Sequence, residues 1–301
     1  MSVTEQDTQT ISLIRDRDLP VDLSPLSEQI LANFKPQTLD FESLEADEQN
    51  RIGFNLRRCR TTLQLSQPAM AELVGVSYTQ YRNFEEGRHH LRLQQTAHYM
   101  VCTGIPLHYL FQGSCYEPLF KGLVINHDWL PLQSFVGRCT DAMFEALVTL
   151  VAGQLKISLP AAPEFDCRWP NDREMAQELR HYYRIIGEGI FQMRQIVGIS
   201  QDDLGALVGI TGATLAAYER NRMAENRSYA AYMAMRLWAA TGINPLWITC
   251  GSRFYARRSL QHLRMAYLNE LLQDQPEAII LQLQHSLRQM PGLSLSEPLM
   301  R

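Results

Sequence analysis

The chain is poor in the features that mark most functional classes. Its six cysteines, Cys59, Cys102, Cys115, Cys139, Cys167 and Cys250, are scattered over 301 residues with no C-x-x-C pair and no metal-ligand spacing. That pattern argues for reduced thiols in the cytoplasm, against a disulfide framework and against a metal site. No apolar run approaches the ~18 residues that cross a bilayer, so no membrane partner is expected. The N-terminus, MSVTEQDTQTISLIRDRDLP, lacks the basic start and apolar core of a secretion signal. Enzyme signatures are missing too: there is no G-x-x-x-x-G-K-[ST], G-x-G-x-x-G, H-E-x-x-H or G-x-S-x-G. His89-His90 has neither a carboxylate nor a third ligand at useful spacing. No catalytic residue, metal or cofactor is therefore expected, and the chain does not read as an enzyme. Positive charge is not in excess either, with a formal net charge of −4 and a pI near 6.1, so any nucleic-acid surface must be local. Little reads as strand, and the expected fold class is all-α.

The charge is unevenly placed. Residues 1–50 hold eleven acidic and three basic side chains, broken by prolines at 20, 25 and 36. This segment reads as an acidic N-terminal arm with a short helix around Ser24–Phe34, otherwise loose, where a protein partner could dock. Between Arg51 and Arg92 the balance reverses to seven arginines against three acids, the clearest basic block of the chain. Residues 115–172 read as a connector. One amphipathic helix is expected from Leu132 to Leu155, with Phe135, Cys139, Met143, Leu147, Leu150 and Val151 at helical spacing, before the proline-rich ISLPAAPEFDCRWP. Residues 253–301 read as two C-terminal helices. The first is marked by Leu260, Leu263, Leu268, Leu271 and Leu272, the second by Ile279, Ile280, Leu283 and Leu287; this is the expected oligomerisation element.

The chain repeats itself. TLQLSQPAMAELVGVS (62–77) lines up with VGISQDDLGALVGIT (197–211) at an offset of 134, pairing Gly53 with Gly187, Arg60 with Arg194, Gln67 with Gln201, Gly75 with Gly209 and Glu85 with Glu219. After four extra residues near 223–230, Thr103-Gly104-Ile105 pairs with Thr241-Gly242-Ile243 at an offset of 138. One module is present twice, at 51–114 and at 173–252.

Local chemistry says what the module is. Ser66 is a good N-cap and Pro68 falls in the first turn, where its missing N–H costs nothing. Gly75 ends that helix, Val76 turns inward, and Ser77 caps a second helix from Tyr78 to Glu85. Two short helices joined by a three-residue turn make a helix-turn-helix. Tyr81 and Phe84 share the core face of the second helix. Tyr78, Thr79, Gln80, Arg82 and Asn83 are left outside, a short row of hydrogen-bonding groups of the kind that reads base edges in the major groove.

Through Arg60, Leu65-Ser66-Gln67, Met70-Ala71, Gly75-Val76-Ser77, Tyr81, Phe84-Glu85 and Gly87, residues 51–114 resemble the lambda repressor/Cro-like, or XRE, family of helix-turn-helix regulators. The resemblance implies a compact five-helix domain that binds double-stranded promoter or operator DNA. It implies that Gln67 contacts phosphate and braces the recognition helix, and that Arg60 and Glu85 form an internal ion pair. Ser66, Arg88 and Arg92 are the further expected phosphate contacts. Glu86 departs from the family, which often has Asn or Arg there. The second copy keeps the scaffold, with Arg194 and Glu219 as the matching pair. Its outward positions are Gly212, Ala213, Ala216 and Ala217, none with a hydrogen-bonding side chain. Gln201, Arg220 and Arg222 are its candidates for weak phosphate contacts. A homodimer is expected, its first copies reading DNA while the second copies and the C-terminal helices form the interface. The rival reading is an adaptor or antitoxin-like protein that reuses the fold without DNA. Trp238 and Trp247, which flank Thr241-Gly242-Ile243-Asn244-Pro245, read as helix core, with the wall of a small-molecule sensor pocket as the alternative.

Overall fold

The computed structural model describes residues 21–120, 129–157, 170–222 and 228–272, together with 275, 279, 281–283 and 285. Among the described residues the chain is helical, with no strand and one isolated bridge, so the all-α expectation holds. The helices are α1 (Ser27–Asn33), α2 (Phe41–Thr62), α3 (Gln67–Leu73), α4 (Tyr78–Glu85), α5 (Leu93–Thr103), α6 (Leu130–Val136), α7 (Asp141–Leu155), α8 (Asp172–Arg180), α9 (Tyr182–Val197), α10 (Gln201–Val208), α11 (Gly212–Glu219), α12 (Tyr232–Thr241) and α13 (Arg253–Leu272).

Matching side chains start matching helices. Ser66, Ser77, Ser200 and Thr211 each accept a hydrogen bond from the backbone N–H three residues on, beginning α3, α4, α10 and α11. Such a cap contributes about 1 kcal/mol. Gly75 and Gly209 make the turns with φ of 70° and 77°. Gly53 lets α2 press against the end of α4: a Cβ there would lie 2.6 Å from the Phe84 carbonyl oxygen. Gly187 does the same for α9, where a Cβ would lie 2.8 Å from the Tyr218 oxygen.

The two halves meet through equivalent backbone. Leu93 N–H donates to the Tyr229 carbonyl (2.9 Å) and Ala231 N–H to the Leu91 carbonyl (2.8 Å), an antiparallel bridge centred on Arg92 and Ala230. At the offset of 138, Leu91, Arg92 and Leu93 correspond to Tyr229, Ala230 and Ala231. Each half thus presents the same three positions to the other, which defines a local pseudo-twofold axis. α5 and α12, which start beside the bridge, pack on one another, and one hydrophobic core runs through both halves.

The acidic segment is not a loose arm over its described part. Val21, Leu23 and Ile30 are buried, and Leu23 N–H donates to Gln192 on α9. Lys35 N–H donates to the Thr241 carbonyl, so residues 21–37 strap the second half. Burial of these apolar residues outweighs the charge pattern that suggested a solvated tail. α2 also begins ten residues before the expected boundary at 50/51, capped by Asp40. Residues 1–20 lie outside the described residues. The straps cross: α1, which precedes the first half, closes over Gly242 of the second, and α6, which precedes the second, closes over Gly104 of the first.

The single connector helix is in fact two, α6 and α7, separated at Gly137–Thr140. Thr140 caps α7, and the break frees the Cys139 carbonyl for the fully buried Arg264 (2.9 Å), which also pairs with Asp141. The leucine face of α13 is used inside the chain. Leu268, Leu271 and Leu272 join Leu132, Phe135 and Leu147 of the connector in a second core. Much of the leucine surface expected to hold two chains together is therefore occupied within one, while Leu263 is exposed. Of the second C-terminal helix, 279, 281–283 and 285 are helical and Leu283 is buried in that core; Ile280 and Leu287 lie outside the described residues.

Candidate nucleic-acid interface

The first half builds its outer face from a buried carboxylate. Glu85, at the end of α4, has a fully buried side chain. It accepts from Arg60 Nε (2.6 Å) and Nη2 (3.1 Å) and from Gln67 Nε2 (2.7 Å). Arg60 also donates to the Leu65 carbonyl (2.8 Å), so α2, the start of α3 and the end of α4 meet at one acid. Burial alone would raise the Glu85 pKa; the donors Arg60 and Gln67 outweigh it and hold the carboxyl below its usual range. The hydrogen bond to Glu85 likewise raises the Arg60 pKa. A charge so compensated is stable, whereas one left without its partner is strongly destabilising.

With α4 pinned, Tyr81 and Phe84 face the core. Tyr78 and Thr79 are exposed, and Gln80, Arg82 and Asn83 are partly so. The five positions predicted as readers therefore stand together on the outer side of α4. Arg82 lies near the Tyr78 ring, 5.9 Å from its centroid. Glu86 caps the helix within 3.8 Å of Arg82 and 3.1 Å of Arg88. It draws two of the face's cations into ion pairs; for the first of them, the i,i+4 spacing of Arg82 and Glu86 was a signal available in the sequence.

The predicted phosphate contacts are placed less uniformly. Ser66 is exposed, with its hydroxyl engaged as the cap of α3. Gln67 is half-buried, its amide turned to Glu85. Arg88 sits beyond α4 against Glu86. Arg92 is exposed at the pseudo-twofold bridge rather than on the recognition helix.

The second half reproduces the brace. Arg194 Nε and Nη2 donate to Glu219 (2.6 and 3.1 Å), Gln201 Nε2 donates to Glu219 (2.6 Å), and Arg194 Nη1 to the Ile199 carbonyl (3.1 Å). What the brace presents is different. Ala213 is exposed and Ala216 and Ala217 half-exposed, while Asp202 and Asp203 occupy the exposed first turn of α10 where the first half has Pro68 and Ala69. Arg222 lies flat on Phe191, 3.9 Å from the ring centroid, and Arg220 is exposed.

Two further features escaped the sequence. Glu48, counted among the acids of the arm, is buried and paired with the buried Arg236 of α12 through two bonds of 2.7 and 2.6 Å, with the Tyr116 hydroxyl donating as well. It ties α2 of one half to α12 of the other. The thiols differ in setting: burial pushes Cys59 and Cys102 up to about 12, whereas Cys115 is exposed. The five described cysteines are free; Cys167 lies outside the described residues. No cluster of three or more metal-ligating side chains occurs among the described residues, and no described helix is long and apolar enough to cross a membrane.

Fold and site together define an all-α protein carrying a helix-turn-helix whose second helix has an exposed polar face. The chain is similar to YqaE of Bacillus subtilis (strain 168), an uncharacterized HTH-type transcriptional regulator, at 27% identity over 105 residues, 34% of this chain and 90% of that protein. No protein-family model and no solved structure matches the chain.

Proposed function

We propose that the chain is a DNA-binding transcriptional regulator of the lambda repressor/Cro-like type, which reads sequence by inserting α4 into the major groove. The observation that carries the reading is the face of α4. Five neighbouring side chains with hydrogen-bonding groups, one of them an arginine, stand outside a helix held by a three-residue brace around the buried Glu85. Arginine suits guanine O6 and N7, and asparagine suits adenine N6 and N7. The distant relative's description as an HTH-type transcriptional regulator supports DNA as the partner. Gln67, Ser66 and Arg88 then approach the backbone phosphates, which position the helix without specifying sequence.

The two halves act as one unit. A lone helix-turn-helix reads only a few base pairs, and regulators of this kind usually gain length by pairing two modules. Here the pairing is made inside the chain, so a single copy spans both positions with one reading helix and one silent helix. Selection of bound sequences from random duplex, followed by footprinting, tests this. The expected result is an asymmetric footprint with base specificity on one side, from a particle of one 34.5 kDa chain. Affinity that does not distinguish the selected site from random duplex would instead favour the adaptor reading.

A further inference from the structure

We propose that the second half holds a binding site for an amphipathic carboxylic acid, with the carboxylate on Arg258 and the apolar body between Trp238 and Trp247. The site is a cavity of about 410 Å³, within the range of pockets that enclose small organic ligands. Most of its wall is apolar, from the core of the second half and from Leu93 and Met100 of the first. The first half supplies the comparison. Tyr81 and Tyr99 are fully buried in its core; their counterparts are Leu215 and Leu237, and both line the cavity. Met193, which replaces Cys59, adds bulk to the second core but does not line the cavity. Dense packing is the rule in protein interiors, and a void of this size forfeits the contacts that a filled core would make.

The polar end is as informative as the void. α13 carries three arginines that turn inward within eight residues: Arg257, Arg258 and Arg264. Arg257 pairs with Asp172 at 3.0 Å and Arg264 pairs with Asp141. Arg258 lines the cavity beside Tyr182, and no carboxylate is paired with it among the described residues. Arg258 is half-buried in the cavity wall; burial, reinforced by neighbouring Arg257 and opposed by Tyr182, pulls its pKa down to about 9. His262, one turn further along α13, stands at the mouth with Leu263, and both are exposed. A carboxylate entering there gains a charge-assisted pair with a guanidinium whose geometry suits it. A neutral head group does not.

Titration calorimetry of the full chain with decanoate and with decan-1-ol, in the absence of DNA, tests the site. Saturable binding of decanoate, at least tenfold tighter than the alcohol, is expected. Arg258→Met should remove that preference while leaving the alcohol's affinity unchanged, with circular dichroism verifying the fold. Leu237→Tyr, which restores the ring found in the first core, should abolish binding of both. No saturable heat with either ligand, or equal affinity for acid and alcohol in the wild type, overturns the proposal; the second comparison needs no variant. Because DNA is absent, the outcome is independent of the regulatory reading, under which such a ligand would be an effector.

Discussion

Glu86→Gln should strengthen DNA binding, a direction that removing a charged side chain from a binding surface rarely takes. Glu86 lies 3.8 Å from Arg82 and 3.1 Å from Arg88, and its side chain is partly exposed, as are both partners'. At 3.8 Å two unit charges attract by about 1 kcal/mol in water and by about 4 kcal/mol at an effective dielectric of 20. Measured surface pairs fall at the low end, about 0–1 kcal/mol, so loss of the pairs should leave folding stability nearly unchanged. On DNA the same acid acts twice: it occupies two guanidinium groups, and it repels the phosphates they approach. Neutralising it should add about 1 kcal/mol, roughly a fivefold gain at low salt. If one guanidinium then takes up a new phosphate, the slope of log affinity against log salt steepens by about 0.9. Fluorescence anisotropy on a labelled duplex across a salt series measures both quantities. A non-specific duplex suffices, since this gain is independent of sequence. Unchanged or weaker binding at 50 mM salt would refute the placement of Glu86 at the DNA surface, and with it the orientation of α4.

Arg82→Ala and Asn83→Ala should each cost about 1–3 kcal/mol at a selected site and relax base preference there, as read by competition with substituted duplexes. Glu85→Ala and Glu219→Ala should each lower stability in urea by about 3–5 kcal/mol, because each strands a partly buried arginine, but only the first should also impair DNA binding at temperatures where both variants remain folded. The Glu85 carboxyl titrates below its unfolded value, so its contribution to stability is full above about pH 4.5 and is lost as pH falls through the lowered folded value; the melting-temperature gap between wild type and Glu85→Gln should narrow from pH 7 to pH 3. Ile30→Ala should cost about 2–5 kcal/mol, since Ile30 is wholly buried, whereas a solvated arm would lose nothing measurable. Ala213→Thr, Ala216→Arg and Ala217→Asn together, with Asp202→Ala to clear the approach of phosphate, should turn an asymmetric footprint into a more symmetric one; an unchanged footprint would mean that α11 does not face DNA.

Local chemistry was legible in the sequence and long-range chemistry was not. The bounds of α3, α4, α10 and α11 follow from Ser66, Ser77, Ser200 and Thr211 and from the glycines of the turns, all decided within a few residues. The Arg60–Glu85 brace was available only through resemblance, since nothing local ties two residues 25 apart. Glu48 had no such help. Among eleven acids it reads as one more solvated charge, and its partner Arg236 is 188 residues away. At 21–37 the short helix was expected and is present, but its docking was missed for the same reason: what buries Val21, Leu23 and Ile30 is the second half. The connector was misjudged because its apolar periodicity continues through Gly137–Thr140 and outweighed the local stop and start signals there, Gly137 and the Thr140 cap. Trp238 and Trp247 were read as core, with a small-molecule pocket as the alternative; both are half-buried and both line the cavity, which no local pattern could decide.

The second half is best understood by what it retains without a visible use. A brace around Glu219 costs the desolvation of an acid and an arginine, and in the first half that cost serves to aim a polar face. In the second half the face it aims is alanine. Asp202 and Asp203 at the start of α10 favour the helix, since acids there complement the N-terminal dipole. They also repel any phosphate that would dock on it, so stability and DNA contact are opposed at that end and stability prevails. The brace must then serve the fold of the half itself, and that half is required by its partner. Bridge bonds between Leu93 and Tyr229 and between Ala231 and Leu91 are made by backbone and survive any change of side chain. α5 and α12 bury each other, and Glu48 and Arg236 lock one half to the other. Such an arrangement holds the second half in place without any contribution from its outer face. It also leaves the core of that half free to open, since the straps and the bridge hold its outline while Leu215 and Leu237 stand where rings fill the first.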